Sequence, residues 1–202
     1  MSRSSRPRFK YGQKYCQHDE EAIVLTVFDA IGHKGTLCDI GARLMYSNSA
    51  RLIFEHGYSG VLVDIHKEAA RELETRFSGY PVEVFCQKAT VDNVNEFVRD
   101  ADFLSIDIDT YDWWLWAFAN HSPRLVCVEI NPHITGLQIV KYNEHAAKMY
   151  GGKMNGYNAS KGAFELLGRL KGYSTIALTG TNMIFARNDI AGRASESLLQ
   201  AT

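Results

Sequence analysis

The chain has 202 residues, of which 46% are hydrophobic and 22% charged, with a net charge of −1. That length suits one domain that can bury a core without disulfide or metal staples, and so balanced a charge excludes an electrostatic footprint for nucleic acid over the chain as a whole. Residues 1–16 are the exception, with Arg3, Arg6, Arg8, Lys10 and Lys14 and no acid, and read as a flexible basic arm. No apolar run approaches the roughly 18 residues of a membrane span, and no apolar leader segment follows the basic start. Cys16, Cys38, Cys86 and Cys127 form no close pair and read as buried reduced thiols of a cytoplasmic protein.

In chain order, 19-DEEAIVLTVFDAIG-32 puts Ile23, Val27 and Ile31 on one helical face and stops at glycine. The run 36-TLCDIG-41 is a short strand. Ser47 or Asn48 caps a helix ending at Gly57. Strand 60-GVLVDI-65 precedes helix 67-KEAARELETRF-77, which is rich in helix formers. Strand 81-PVEVFC-86 precedes a helix from Asp92 to Val98, and strand 102-DFLSIDI-108 precedes a helix from Tyr111. Strand 124-RLVCVEI-130 leads into an irregular stretch. A helix over Ser160–Lys171 is followed by strands 173–178 and 181–187, a hairpin around Thr179-Gly180. Residues 191–202 read as a short helix or a loose tail. Five βα steps and a closing hairpin predict an α/β domain over 17–190: a mostly parallel seven-stranded sheet, a C-terminal antiparallel β-hairpin and helices on both faces.

Ligands of open parallel sheets bind outside the carboxyl ends of the strands. The first strand ends in Asp39-Ile40-Gly41-Ala42, where glycine lets backbone approach a ligand. The second ends in Asp64, placed to accept bonds from two ribose hydroxyls. The plainer reading makes Gly41 a turn glycine and Asp64 a helix cap. The dinucleotide fingerprint G-x-G-x-x-G is missing, since 41-GARLMY-46 supplies only its first glycine. A nucleoside without a diphosphate, such as S-adenosylmethionine (SAM), needs less of that cradle.

The succession DIG, NSARLIFEHGYSGVLVDIHKE, DFLSIDIDTYDWWLW, PRLVCVEINP, YNASKGAFELLGRLKGY and TNMIFAR resembles class I SAM-dependent methyltransferases, and more narrowly the FkbM-type methyltransferase-like proteins. The resemblance spans residues 17–189, with the Asp-Ile-Asp segment and its aromatics as the most specific part. It implies a Rossmann-like class I methyltransferase fold, with Asp39, Gly41 and Asn48 on the methionine side and Ala42 also binding the cofactor. Asp64 would meet the ribose, with Ile65, Lys88 and Ala89 near the adenine. Arg43 and Leu44 depart from the small residues usual in the first loop.

The fourth strand offers Asp107 and Asp109, with Asp112 one turn on, and the fifth offers Glu129, Asn131 and His133. Residues two apart on a strand share a face, and neighbouring strands lie about 4.8 Å apart. Three readings compete. In the first, Asp107, Asp109, Glu129 and Asn131 hold a divalent cation such as Mg²⁺, as oxygen-only ligands suit; this resembles metal-dependent O-methyltransferases. In the second, one acid, Asp107 included, holds the SAM ammonium and another is a general base helped by His133. In the third, Asp109 or Asp112 merely caps the next helix and Glu129 pairs with a basic residue. Trp113 and Trp116 share a helical face and read as packing. The stretch 131–158 reads as a lid or substrate wall, with His133, His145, Tyr150 and Tyr157 as candidates.

The expected function is methylation of an oxygen on a small-molecule or sugar-like substrate, with SAM as cofactor and a divalent cation as its optional partner. The alternatives are a methyltransferase-like binding protein without catalysis and an enzyme using NAD or a nucleotide sugar. No nucleic-acid or membrane partner is expected, and a homodimer through the hairpin or the aromatic helix remains open.

Overall fold

The computed structural model describes residues 15–43, 45, 47–143 and 158–201. Most of the basic arm (1–14) and the candidates His145, Tyr150 and Tyr157 lie outside the described residues. The elements run α1 (Glu20–Ile31), β1 (Thr36–Ile40), α2 (Ala50–His56), β2 (Ser59–Asp64), α3 (Lys67–Arg76), β3 (Val82–Cys86) and α4 (Val94–Val98). Then follow β4 (Phe103–Ile106), α5 (Asp112–Phe118), β5 (Leu125–Glu129), α6 (Lys161–Leu170), β6 (Tyr173–Leu178), β7 (Asn182–Arg187) and α7 (Ala191–Gln200).

The seven strands form one sheet in the order β3-β2-β1-β4-β5-β7-β6. All neighbouring pairs from β3 to β5 are parallel, and β7 enters antiparallel between β5 and β6. The reversed strand is thus one place in from the edge. Chain order runs outward from β1 in one direction and from β4 in the other. The crevice therefore opens at their carboxyl ends, where the direction switches.

Alternation along the strands divides the core in two. Cys38, Ile40, Leu104, Ile106, Val126, Val128, Met183 and Phe185 face α4, α5 and α6. Leu37, Leu62, Phe103, Leu125, Cys127, Ile184 and Ala186 face α1, α2, α3 and α7. A strand buried on both faces must read as a nearly unbroken apolar run, which is why these strands stand out in the sequence. Trp116 is fully buried against Phe164, Tyr173 and Phe185. Trp113 and Trp114 are half-buried and donate their indole N–H groups to the carbonyls of Ala163 and Val140. The aromatic helix is packing, as expected, and two of its indoles also tie down neighbouring segments.

Residues 191–200 form α7, which lays Ala194 and Leu198 into the core shared with α1. The domain therefore continues past residue 190. Tyr15 and Cys16 also belong to it, because the Tyr15 N–H reaches Glu21 Oε2 at 3.0 Å and Cys16 is buried. Cys38 and Cys127 are buried as well, but Cys86 is exposed. It ends the edge strand β3, which α3 and α4 cover only in part.

A buried ion pair that the sequence does not announce locks the lower end of the sheet. Arg124 Nη2 lies 2.6 Å from Asp102 Oδ2, and the same guanidinium donates to the carbonyls of Ile31 and Gly32. Those carbonyls end α1, so the cation sits where the helix dipole favours it.

Candidate functional site

A cleft of about 570 Å³ opens at the carboxyl ends of β1, β2, β4 and β5. That volume lies within the range of small-molecule sites. Its floor is Ile40, Gly41 and Val63. Gly41 has φ +86°, and a Cβ there would collide with the Asp107 carbonyl oxygen. Its N–H and that of Ala42 both donate to the Val63 carbonyl, at 2.8 and 3.0 Å. The chain turns sharply between three strands, and only glycine fits. Ala42 itself points into the core beneath the cleft.

One side of the cleft comes from β2 and β3. Asp64 is 4% exposed, and its Oδ1 accepts the His66 N–H at 2.6 Å. That bond ties Asp64 to the N-cap residue of α3, while its other oxygen faces the cleft side. Ile65, Lys88 and Ala89 line the same side. The Ala89 carbonyl accepts the Tyr111 hydroxyl at 2.8 Å, which joins this wall to the β4 side. Arg43 also lines the cleft and lies with Nε 3.5 Å from Asp64 Oδ2.

Asp39 and Asn48 are not on the cleft surface. Asp39 is buried and accepts the Ser49 hydroxyl at 2.5 Å, while Asn48 Nδ2 donates to Ser105 Oγ at 3.3 Å. They form a polar layer under the floor. Burial pushes the Asp39 carboxyl up to about 6, against hydrogen bonds from Ser49 and Ser105 that pull it down. Ser47 accepts the N–H groups of Ser49 and Ala50 and so starts α2.

The other side is acidic. Carboxylate oxygens of Asp107, Asp112 and Glu129 lie within 4.8 Å of one another. Asp109 lines the cleft but does not belong to this group. The same-face expectation fails for it because β4 ends at Ile106 and Asp109 takes a left-handed backbone at φ 64°. Asp112, expected to be only a cap, is fully buried, and its two oxygens accept the N–H groups of Ile108 and Thr110. It thereby clamps the loop that presents Asp107 and Asp109. Burial and the neighbouring Asp107 charge push the Asp112 carboxyl well above the usual carboxylate range.

Asn131 is buried, and its side-chain oxygen accepts the His133 N–H. His133 is exposed and not among the residues that line the cleft. Three contributors were not legible in the sequence. Asn158 donates its amide to the Glu129 carbonyl at 2.8 Å and its N–H to the Thr110 carbonyl at 2.7 Å. It holds the two acidic strand ends together. Gln17 and Thr181 close the cleft beyond Glu129. They are placed by Glu20, whose carboxylate takes the Thr179 hydroxyl, the Asn182 amide and the His18 N–H. A buried glutamate in the first turn of a helix was a weak hint of such a partner.

No helix among the described residues is long and apolar enough to cross a membrane. No family model matches the chain, and no curated protein matches it. Solved structures do. The SAM-bound magnesium protoporphyrin IX methyltransferase of Synechocystis superposes with a TM-score of 0.51 at 14% identity, over 83% of this chain and 77% of that one. A SAM-dependent methyltransferase of Clostridium acetobutylicum gives 0.53 at 11% identity, over 84% and 91%. The 1,6-didemethyltoxoflavin-N1-methyltransferase of Burkholderia thailandensis, with its substrate and S-adenosylhomocysteine bound, gives 0.53 at 14%, over 84% and 78%. Identities this low speak to architecture alone, and with the strand order above they establish it: this chain has the Rossmann-like fold of class I SAM-dependent methyltransferases.

Proposed function

We propose that the protein is a SAM-dependent methyltransferase acting on a hydroxyl of a small molecule. The observation that carries this reading is Asp64, a buried carboxylate facing the cleft at the end of β2. A ribose would offer it two hydroxyl donors, while Ile65 and Ala89 offer apolar surface to a flat base. Gly41 lets the ligand approach the backbone. When bound, SAM supplies an electrophilic methyl group on a cationic sulphur, and an acidic cleft favours such a cation. Asp107 lines the cleft, and in this proposal it is the base that takes the acceptor hydroxyl's proton. His133 is exposed and off the cleft lining, and this proposal gives it no role. Within that class, we propose that the chain is an FkbM-type methyltransferase-like protein.

A divalent cation suits the acidic end, because its donors are all carboxylate oxygens. Asp107, Asp112 and Glu129 would hold it, rather than the strand-face set that included Asp109 and Asn131. There it would orient an acceptor and lower the pKa of its hydroxyl. Methyl transfer that survives EDTA would exclude the cation.

Titration calorimetry with S-adenosylhomocysteine tests the cofactor reading. Binding in the micromolar range is expected, weakened at least tenfold by Asp64→Ala. The absence of binding at millimolar ligand overturns it. The alternative of a binder without catalysis rests on the Arg43–Asp64 pair, which occupies the carboxylate proposed for the ribose hydroxyls. Tight binding without transfer to any hydroxylated acceptor would favour it.

A further inference from the structure

Arg43 stands in the loop after β1, where the resemblance implies a small residue, and its guanidinium lies against the carboxylate that the proposed cofactor needs. The two partners are unequal. Asp64 is 4% exposed and fixed by the His66 N–H, whereas Arg43 is 51% exposed at the side chain. The arginine can swing away through open space, and the aspartate cannot follow. A buried carboxylate left alone in an empty cleft is costly, so the ion pair stabilises the empty state. Any ribose that binds Asp64 must first displace it.

The displaced guanidinium then needs a new anion. The cleft is otherwise rich in carboxylates, with Asp107, Asp109 and Glu129 along its far side, while Lys88 stands on the β3 side. A SAM molecule carries two cationic groups, which the acids can face, and one carboxylate, which they repel. Arg43 is the cation on the loop that leaves β1 beside Gly41, and a guanidinium matches a carboxylate in two-point geometry.

We propose that Arg43 is a latch that trades carboxylates. It holds Asp64 while the cleft is empty, and on loading it releases Asp64 to the ribose and turns to the carboxylate of the cofactor's amino-acid end. One side chain would thus do the work of the glycine-rich cradle that this loop lacks. It also makes Arg43 a specificity residue, since a ligand with a ribose but no carboxylate would break the pair and give the guanidinium nothing in return. This inference rests on the cofactor reading above.

The test compares SAM with decarboxylated SAM, which keeps the adenosine, the sulfonium and the ammonium. Affinities are measured by calorimetry for the wild-type chain, Arg43→Ala and Arg43→Gln. Arg43 lies at the surface, so both variants are expected to fold, and Gln retains most of the side chain's length. The wild type is expected to prefer SAM, and each variant to lose roughly three- to tenfold of that preference, the scale of a partly exposed charge-assisted contact. Decarboxylated SAM is expected to bind the variants more tightly than the wild type, because the ribose no longer competes with the latch. An unchanged ratio between the ligands, with SAM still bound, overturns the latch and leaves the cofactor reading intact. If neither ligand binds any of the three proteins, the cofactor reading itself falls, and the latch with it.

Discussion

At the scale of single residues, the cleft is shaped by groups that are expensive to place. Asp39 is 3% exposed and its carboxyl is raised to about 6. The native state therefore holds a proton over the window from about 4, the usual carboxylate value, to about 6, while the unfolded chain does not. Stability from this group is complete below that window and is lost as pH rises through 6. Asp39→Asn removes the charge and keeps an oxygen for the Ser49 hydroxyl. It is expected to raise the unfolding midpoint by several degrees at pH 8, an effect of roughly 2 kcal/mol, and to change it little at pH 4. A uniform shift across the pH range would contradict the assignment. Much at this scale is legible only by sign. Acids at strand ends mark a ligand edge wherever they fall in a parallel sheet, so Asp64, Asp107 and Glu129 could be found from the sequence. Asp112 could not be told from a cap, because its use depends on a loop folding back onto it. Arg43 read as a flaw in a glycine loop, and its partner lies on another strand.

At the scale of elements, most boundaries follow from apolar runs closed by glycine or by a capping residue, and β1, β2 and β5 stand where the runs predict. The connection after β5 is the exception. Its first part is held by side chains from elsewhere, with Trp114 on the Val140 carbonyl and Tyr142 against Tyr111 and Trp114. Ser160 holds its far end. Its hydroxyl accepts the Ala163 and Gln138 N–H groups and donates to the Gly136 carbonyl at 2.7 Å. Ser160→Ala removes a helix cap and a loop tie together. The expected loss is about 1–2 kcal/mol, read by urea unfolding, with faster amide exchange at Gln138. Loss of stability without that local change would show that the serine serves only α6. No periodicity encodes its described residues, because Gly136, Gln138 and Val140 bond to the side chains and backbone of residues about 20 or more positions away.

At the scale of the whole molecule, α1 and α7 form one side of the core with Leu37, Phe103 and Ile184. The sequence pattern leaves α7 undecided because ten residues with few apolar positions cannot form a stable helix alone. Packing settles it. Leu198→Asp places a charge against this core and is expected to destabilise the domain by roughly 2–4 kcal/mol, measured by denaturant titration. A change below half a kcal/mol would mean that α7 is not a structural part of the domain. The strand order was legible as a class, from alternation and the closing hairpin. The closing hairpin also puts one reversed strand at or near an edge, as found, but its two neighbours were not legible, since nothing local to 182–187 names them.

That placement has a consequence for how the molecule comes into being on the ribosome. β7 must slide between β5 and β6, and Glu20 waits for Thr179 and Asn182, some 160 residues downstream. Until that part of the chain has been synthesised, β5 has a bare edge and the first helix carries an unquenched carboxylate. Long-range pairings of this kind slow folding and leave sticky edges exposed in the meantime. The nascent chain therefore has β1 to β4 and the floor of the cleft well before it has the wall with Thr181. Its most vulnerable interval as a folding species falls while residues 173–187 are being made, when a chaperone has the most surface to hold.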